Sequence, residues 1–378
     1  MKLKYGMVGG GQGSFIGAAH RRAINLDGMA ELAAGCFSRD YSNTLATGKE
    51  LGVPEERLYK SFDQMAKAEA KREDGIDFVV VVTPNVSHYE ICKAFLQEGI
   101  HVACDKPLCV NAKQAAELEA LAEKKGLLFL VTYVYMGHVT AKHAAEIIAS
   151  GRIGKVRAVM AEYPQGWLAF EGDQGGKQDA WRMDPAQSGG TNCLGDLGTH
   201  VENAVCTMTG LKIKRVLAKM DKVVPGRVLD DNDYVMAEFE GGATGLFWTS
   251  QIAIGHDNSL RVRIYGDAGS IQWFQEEPEK ITVIAKDGSL SELHRGYPGI
   301  APGAASFGRL PSGHPEGWFE AMANLYGSFI QCLHAKKDGS FREDMIQFPT
   351  VKEGAEGIRF VEACLKSAKG GNVWTEIE

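Results

Sequence analysis

The sequence lacks the features of a membrane, secreted or nucleic-acid-binding protein. Its 378 residues contain no apolar segment long enough for a membrane span or a signal peptide. There is no long basic run, and 41 Lys and Arg are outnumbered by 48 Asp and Glu, which gives a net charge of −7. We therefore expect a cytoplasmic protein that binds neither nucleic acid nor a membrane.

Cysteine pairs of the kind that hold disulfides or zinc are also missing. The 8 cysteines are scattered through apolar contexts and form no Cys-x-x-Cys pair, which favours reduced thiols. Asp196 with His200, and His138 with His143, could each supply two metal ligands, but no third ligand stands at a suitable spacing. We predict no metal site.

The composition that remains is that of an ordinary globular protein. Hydrophobic residues make up 44% and charged residues 24% of a chain whose length suits two domains. Strand-like and helical segments alternate up to about residue 131, which is typical of an α/β domain with a parallel sheet. From Lys155 onward, strands follow one another across short turns, which predicts a largely antiparallel sheet. We expect one domain over residues 1–127 and a second over 128–378.

A glycine-rich turn follows the first predicted strand. Residues 9–17 read Gly-Gly-Gly-Gln-Gly-Ser-Phe-Ile-Gly. A strand, a glycine turn and a helix together can bind a pyrophosphate through backbone N–H groups and the helix N-terminus. Gly9 and Gly11 fit the first half of the dinucleotide fingerprint, but the helix glycine falls at Gly17, as though the turn had grown by two residues. A tight turn without a ligand is the alternative.

Polar residues stand at the carboxyl ends of the next predicted strands, where doubly wound sheets bind their ligands. Ser38 and Arg39 follow the second strand. An acid there would bond the ribose of NAD, whereas a small polar residue followed by Arg can accommodate the phosphate of NADP. These two residues leave the choice open, and a solvated loop is the alternative.

The third and fourth strands end in similar polar groups. Thr83-Pro84-Asn85 follows the third strand, with His88 in the first turn of the next helix, and Asp105-Lys106-Pro107 follows the fourth. A loop lysine is usually solvated, so the position of Lys106, rather than its identity, indicates a role at the ligand crevice.

The stretch from Ser188 to His200 reads Ser-Gly-Gly-Thr-Asn-Cys-Leu-Gly-Asp-Leu-Gly-Thr-His. If it enters a helix near Leu194, Asp196 and His200 stand four residues apart on one face. A histidine beside a carboxylate is suited to moving a proton near neutral pH. The alternative is a helix start capped by Asp196, with His200 merely hydrogen-bonded.

Taken in order, these motifs resemble the Gfo/Idh/MocA family, the relatives of glucose-fructose oxidoreductase and inositol dehydrogenase. The resemblance covers nearly the whole chain and includes Trp181-Arg182, the Tyr265–Ser270 strand signature and Phe348-Pro349-Thr350. It implies a Rossmann domain that binds a nicotinamide cofactor, followed by an α+β domain with an open, mostly antiparallel sheet. A homodimer or homotetramer is the family expectation.

The resemblance also implies the site residues, with Asp105 in place of the glutamate of the family's Glu-Lys-Pro. The catalytic residues would be Lys106, Asp196 and His200. The cofactor, NAD(P) with NAD ahead of NADP, would contact Gly9, Gly11, Gln12, Phe15, Ile16, Ser38, Arg39, Thr83, Pro84, Asn85, His88, Asp105, Lys106, Trp181 and Arg182.

The substrate side departs from the family pattern. Where many members carry an Asn-Arg pair, this chain reads Thr-Tyr-Val-Tyr-Met-Gly-His over residues 132–138, so Tyr135 and His138 are candidate substrate contacts alongside Lys106, Asp196 and His200. Tyr163 offers an aromatic face of the kind that stacks on sugars, with core packing as the alternative.

A long Gly/Pro-rich stretch, residues 295–317, is a candidate lid that contains His314 as a further substrate contact. An ordinary surface loop is the alternative.

The expected reaction is oxidation of a secondary hydroxyl of a sugar, glycoside or cyclitol by hydride transfer, with His200 as acid/base and Lys106 on the reacting oxygen. One alternative is NAD-dependent glycoside cleavage through a transient 3-keto sugar, which uses the same residues. The other is a non-catalytic nicotinamide-binding sensor, against which the retention of Lys106, Asp196 and His200 together argues.

Overall fold

The computed structural model describes residues 2–170 and 180–378. Residues 3–131 form alternating strands and helices. In chain order these are β1 (Leu3–Gly9), α1 (Phe15–Leu26), β2 (Ala30–Cys36), α2 (Tyr41–Leu51), α3 (Phe62–Glu69), β3 (Phe78–Val82), α4 (His88–Gln97), β4 (His101–Cys104), α5 (Ala112–Lys125) and β5 (Phe129–Val131).

The later part of the chain is richer in strands. Its elements are α6 (Val139–Ala149), β6 (Val156–Pro164), α7 (Pro185–Ser188), α8 (Thr199–Thr209), β7 (Ile213–Asp221), β8 (Asn232–Phe239), β9 (Thr244–Ser250), β10 (Arg261–Gly266), β11 (Gly269–Phe274), β12 (Lys280–Ala285), β13 (Leu290–His294), α9 (Pro302–Ala305), α10 (Trp318–Asp338), α11 (Val351–Lys369) and β14 (Thr375–Glu376). A π-helical turn, Leu194–Gly198, leads into α8.

The chain divides into two compact units that differ from the predicted domains. Unit 1 comprises residues 1–133 and 322–355, and unit 2 comprises residues 134–321 and 356–378. The predicted boundary at 127/128 falls before β5, although β5 pairs with β4 in the first sheet. The prediction also missed the return of residues 322–355 to unit 1. That return depends on long-range packing, because Phe329 of α10 lies edge-on to Phe78 of β3, with ring centroids 5.4 Å apart.

The sheet of unit 1 is parallel, with strand order β2-β1-β3-β4-β5. All five residues of β3 are buried, as expected for a strand covered on both faces. The order reverses between β1 and β3, and such a reversal opens a ligand crevice at the carboxyl ends of the strands. The chain leaves β1 at Gly9 and β3 at Val82, so the glycine turn and Thr83 stand together at that crevice.

The sheet of unit 2 is open and mostly antiparallel. Among the described residues its strand order is β13-β12-β11-β10-β6-β9-β8-β7-β14. The pair β6 and β9 is the exception, since those two strands run parallel. The fold prediction of a Rossmann domain followed by an α+β domain with such a sheet is therefore confirmed.

Two further properties follow from the described residues. All eight cysteines are free thiols, and only Cys206 among them is not fully buried. Among the described helices, none combines the length and the apolar character that a membrane crossing requires.

Candidate functional site

The glycine turn of unit 1 is shaped by close backbone packing. Gly9 and Gly10 have φ angles of 83° and 74°, which glycine adopts without strain. A Cβ on Gly17 would lie 2.3 Å from the Cα of Gly10, so helix α1 can approach the turn only because residue 17 is glycine. Gly17 therefore packs against the turn as the helix glycine of a lengthened fingerprint would, and phosphate binding by this turn stays a prediction.

Helix α1 begins at Phe15, directly after this turn, with Ser14 as its N-cap. Its positive N-terminal end therefore borders the crevice, as a pyrophosphate site requires. Phe15 is 68% exposed there, and Ile16 is half-buried. Gln12 forms two hydrogen bonds within unit 1. Its backbone N–H donates to Thr47 Oγ1 at 3.0 Å, and its side-chain amide donates to Glu50 at 2.9 Å. A cofactor contact by Gln12 stays a prediction that these bonds do not support.

The tip of β2 presents Ser38 and Arg39 to solvent-accessible space. Arg39 is exposed, and Ser38 is half-buried. The Ser38 hydroxyl accepts the Asp40 N–H at 3.1 Å, which leaves its own hydrogen for another partner. The nearby acid, Asp40, is used as the N-cap of α2 and accepts from the Ser42 N–H at 2.9 Å. Hydrogen bonds from Ser42 hold the pKa of Asp40 below its usual range.

The tips of β3 and β4 are braced by His88. One ring nitrogen lies 2.7 Å from the Thr83 carbonyl and the other 2.9 Å from the Pro107 carbonyl. Burial lowers the pKa of His88, which favours the neutral ring, and a neutral ring donates to only one of these carbonyls at a time. His88 was predicted to contact the cofactor, but its side chain is 1% exposed and holds the two loops together instead. Beside it, Pro84 is half-buried and Asn85 is buried.

Lys106 is held at the tip of β4 by the carboxylate of Asp105. Asp105 Oδ1 accepts the Lys106 backbone N–H at 2.9 Å and the Thr132 hydroxyl at 2.9 Å. Behind it lies His20 of α1, with Nε2 3.9 Å from the same oxygen and Nδ1 2.6 Å from the hydroxyl of Tyr326. Burial lowers the pKa of His20 and raises that of Tyr326, so both side chains are neutral at ordinary pH. Asp105, predicted to contact the cofactor, thus has an internal role in setting the lysine loop.

Asp196 and His200 of unit 2 lie on one continuous turn. Asp196 is in the π-helical turn, whose last bond runs from the Thr199 N–H to the Leu194 carbonyl, and His200 is in the first turn of α8. Single π-helical turns occur mostly at functional sites in helices. The predicted helix start near Leu194 is correct, but the turn is wider than the α-helix that the four-residue spacing implied.

The ring of His200 packs between two buried tyrosines. Its centroid lies 4.8 Å from that of Tyr135 and 5.9 Å from that of Tyr163. The tyrosine hydroxyls are 2.5 Å apart, and Tyr163 also donates to Asn258 Oδ1 at 2.5 Å. Tyr135 is 5% and Tyr163 2% exposed, so the predicted stacking on substrate gains no support, and these rings instead fix the imidazole.

Trp181 and Arg182 lie in the short turn Ala180–Met183 of the same unit. The Arg182 guanidinium stands 4.9 Å from the centroid of the Trp181 ring. Its Nε is 3.8 Å from Asp196 Oδ1, so the arginine predicted to contact the cofactor lies beside the predicted catalytic carboxylate. The structure therefore groups Arg182, Asp196, His200, Tyr135 and Tyr163.

A carboxylate from a distant loop caps the turn that carries Asp196. Asp230 accepts the N–H groups of Asn192 at 2.8 Å and Leu194 at 2.7 Å. It also accepts the Thr191 hydroxyl at 2.8 Å. These bonds and the positive end of the helix compensate its buried charge.

Cys193, Asp230 and Asp233 bring possible metal-ligand atoms within 4.8 Å of one another. Burial raises the pKa of the Cys193 thiol well above its usual value, and burial with the charge of Asp230 does the same for Asp233. Because Asp230 already accepts three protein donors, the cluster is best described as a helix cap.

The candidate lid, residues 295–317, is bonded to the rest of unit 2 through Arg295, whose side chain is 3% exposed. Its guanidinium binds Glu279 at 2.8 Å, Glu316 at 3.0 Å and the His314 carbonyl at 2.5 Å. The stretch is thus fixed by buried ion pairs rather than loosely attached. The side chain of His314 is exposed, and the hydrogen bond that its backbone carbonyl accepts from Arg295 gives its predicted substrate contact no support.

Sequence reasoning missed His20, Asn192, Asp230 and Gln251, which hold the predicted site residues in place. Each has partners far away in the chain, so no local spacing reveals them. The polar run Asp230-Asp231-Asn232-Asp233 at the start of a strand was the available signal, since such residues are costly to bury without a partner.

Two family models match the chain. The model described as an oxidoreductase family with an NAD-binding Rossmann fold matches residues 3–133. The model described as the GFO/IDH/MocA C-terminal domain matches residues 141–272.

Similar proteins have the same architecture. An uncharacterized oxidoreductase, YfiI, from Bacillus subtilis (strain 168) is 38% identical over 100% of this chain and 97% of its own length. An inositol dehydrogenase homologue from Azotobacter vinelandii, solved with NAD⁺, is 35% identical and superposes with a TM-score of 0.95 over 100% of this chain and 97% of that one. The same homologue with NADH and myo-inositol gives 0.93 at 35% identity, over 100% and 98%.

A levoglucosan dehydrogenase from Pseudarthrobacter phenanthrenivorans is 25% identical over 74% of this chain and 76% of its own. With both family models matched along most of the sequence, the chain belongs to the Gfo/Idh/MocA family of NAD-binding oxidoreductases.

Proposed function

We propose that this protein oxidises a secondary hydroxyl of a cyclitol, sugar or glycoside with NAD(P), and that NAD is the preferred cofactor. The observation that carries the proposal is the turn that holds Asp196 and His200 on one helix start, with the imidazole fixed between Tyr135 and Tyr163. Likeness to a homologue solved with NADH and myo-inositol supports the substrate class.

In this proposal the nicotinamide ring, when bound, supplies the acceptor for the hydride. His200 takes the proton of the substrate hydroxyl as the carbon loses its hydride, so the alcohol leaves as a ketone. Lys106 donates a hydrogen bond to the reacting oxygen and stabilises its developing negative charge. Asp196 orients His200 or binds a neighbouring hydroxyl. Gly9, Gly10 and Gly17 are needed for the packing of the turn itself, because a Cβ at any of them would meet neighbouring protein atoms at 2.9 Å or less. This packing keeps the N-terminus of α1 at the turn, where a pyrophosphate would bind.

A panel of cyclitols, sugars and glycosides, run with NAD and NADP in parallel, tests the proposal. We expect absorbance of the reduced cofactor to rise with at least one cyclitol or sugar and a ketone product to appear. Cleavage of a glycoside without net reduction of the cofactor would point instead to elimination from a transient 3-keto sugar. Cofactor binding without turnover across the panel would contradict an enzymatic role.

Cofactor choice is tested by Ser38→Asp. The introduced carboxylate would repel the phosphate of NADP at the tip of β2 and could accept from the ribose hydroxyl of NAD. We expect kcat/KM with NADP to fall by about tenfold or more while kcat/KM with NAD is retained. The control is Ser291→Asp, the same charge change at an exposed serine of β13 in unit 2. Equal losses with both cofactors would show that Ser38 does not face the ribose.

Self-association is the second part of the proposal. Met236 and Leu246 are opposite each other on β8 and β9, Leu246 is opposite Met160 on β6, and Tyr234 lies two residues from Met236. These side chains share one sheet face and are 37–50% exposed, which makes a continuous apolar row. A second copy of the chain, bringing the same row, is the occupant we propose, in keeping with the family expectation of a dimer or tetramer.

Leu246→Lys is expected to turn the oligomer into a monomer, because it places a charge in the middle of this row. Sedimentation velocity measures the change. Val373→Lys, at a residue that is 49% exposed but outside the row, is the matched control and should leave the mass unchanged. A wild-type monomer, or an unchanged oligomer in Leu246→Lys, would refute this interface.

A further inference from the structure

Gln251 is buried beside the Asp196 turn, although it belongs to none of the motifs. It follows β9 directly, and its side chain is fully buried. Its backbone N–H donates to the Asp231 carbonyl at 2.9 Å, and its own carbonyl accepts the Leu168 N–H at 3.0 Å. The backbone is therefore fixed on both sides, and the amide must find its partners locally, because an unpaired buried amide is costly.

The amide of Gln251 bridges two residues of the motif. Its Oε1 accepts from Asn192 Nδ2 at 2.6 Å, and its Nε2 donates to Asp196 Oδ2 at 3.3 Å. Only this orientation directs the NH₂ group to the carboxylate, which has no hydrogen to donate when ionised. Asn192 is anchored in turn, since its backbone N–H donates to Asp230 Oδ1 at 2.8 Å.

Asp196 needs such support because its turn is not an ordinary α-helix. The turn closes by a bond from the Thr199 N–H to the Leu194 carbonyl, five residues back, and such wide turns are rare. Asp230 holds the backbone that enters the turn, through Asn192 and Leu194. Gln251 bonds the side chain of Asp196 itself, and not the backbone of the turn.

The two carboxylate oxygens of Asp196 face different side chains. Arg182 Nε is 3.8 Å from Oδ1, which is an ion-pair distance. Gln251 contacts Oδ2 from the interior. A neutral amide on one side and a guanidinium on the other fix the plane of the carboxylate.

We propose that Gln251 is a positioning residue of the dehydrogenation, which holds the Asp196 carboxylate in the orientation that His200 and the substrate require. This inference rests on the proposed function and deepens it, since Gln251 touches neither substrate nor cofactor. The residue acts through Asp196, so its removal should affect turnover more than cofactor binding.

The first test compares two substitutions in the full-length chain. Gln251→Leu removes both hydrogen bonds at similar volume, and we expect kcat to fall about tenfold or more, with the affinity for NADH in fluorescence titration unchanged. Gln251→Glu retains an acceptor for Asn192 but sets a second carboxyl against Asp196.

The pH profile separates positioning from simple loss of stability. The introduced carboxyl of Gln251→Glu resembles the amide when it is protonated, because it can then donate to Asp196. Three charged groups lie near the side chain of residue 251. Asp196 contacts it directly, Arg182 lies beyond Asp196, and Asp230 is linked to it through Asn192. We expect kcat of Gln251→Glu, relative to wild type, to rise as the pH falls from about 9 to about 6.

Gln275→Leu is the matched control. Gln275 is also a buried glutamine that follows a strand of unit 2, β11, and it is 9% exposed. Its substitution removes an amide of the same size away from the Asp196 turn. We expect it to leave kcat within about twofold, because the Oε1 atom of Gln275 is buried without a hydrogen-bond partner among the described residues.

Each outcome decides the proposal. A wild-type kcat in Gln251→Leu, a loss equal to that of Gln275→Leu, or a Gln251→Glu profile parallel to wild type would overturn it. If Gln251→Leu does not fold, the profile of Gln251→Glu decides alone. If the wild-type chain oxidises nothing, the proposed function fails separately, and a crystal structure of Gln251→Leu becomes the readout. An Asp196 carboxylate that keeps its 3.8 Å distance to Arg182 there would refute the positioning role.

Discussion

His200→Ala is expected to lower kcat by about 10²-fold or more, since a positioned acid/base contributes that much to proton transfer. His200 is 5% exposed and packs against Tyr135 and Tyr163, which hold its ring in one place. Lys106→Ala is expected to cost at least about tenfold, because it removes a charged hydrogen bond to the reacting oxygen. Stopped-flow and steady-state kinetics with the substrate found in the panel measure both losses.

Two controls match these substitutions in residue type. His294→Ala removes a histidine that is exposed and paired with Glu292, and Lys286→Ala removes an exposed lysine in a turn. We expect both to retain kcat within about twofold, as surface substitutions usually do. NADH binding should persist in all four variants. Near-normal turnover in both His200→Ala and Lys106→Ala would contradict the proposed chemistry.

Gly17→Ala is expected to disable the cofactor site and destabilise unit 1. The added Cβ would lie 2.3 Å from the Cα and 2.8 Å from the carbonyl oxygen of Gly10, and these are backbone atoms that cannot turn aside. Overpacking of this kind costs about 1–3 kcal/mol of unfolding free energy, and a displaced turn should weaken NAD binding by about tenfold or more. Urea denaturation and NADH titration measure the two effects.

The same substitution at Gly327 should act in the opposite direction. Gly327 lies inside α10 of unit 1, and a Cβ there would meet nothing within 4 Å. Replacing an interior helix glycine by alanine stabilises by about 0.5–1 kcal/mol. If Gly17→Ala and Gly327→Ala prove equally harmless, helix α1 does not approach the turn as closely as the structure indicates.

Local signals made much of the fold predictable. Helix α5 is observed over residues 112–125, the span that its own sequence predicts, because Asn111 caps its start and Gly126 ends it in the left-handed region. The strand tips followed from a topological rule about where ligands bind. By contrast, β13 has four exposed residues out of five and no apolar alternation, so sequence reasoning had nothing on which to predict it.

The unpredicted features depend on distant partners. The π-helical turn is held by Asp230, which lies 36 residues after Leu194 in the chain, and by Gln251. His20 reaches its hydroxyl partner, Tyr326, across 306 residues. Spacing and strand-tip rules describe neighbours within one element, so they predict roles for Lys106, Asp196 and His200 but could not reveal the residues that hold them.

The two parts of unit 1 are synthesised far apart in time, because unit 2 residues lie between them in the chain. Residues 1–133 leave the ribosome before Tyr326 and Phe329, the partners of His20 in α1 and of Phe78 in β3. The hydrophobic surface of the sheet of unit 1 therefore stays uncovered while nearly two hundred further residues are synthesised, until α10 follows. A truncated product that stops at residue 133 should aggregate, and the nucleotide-binding half cannot be excised as one uninterrupted fragment.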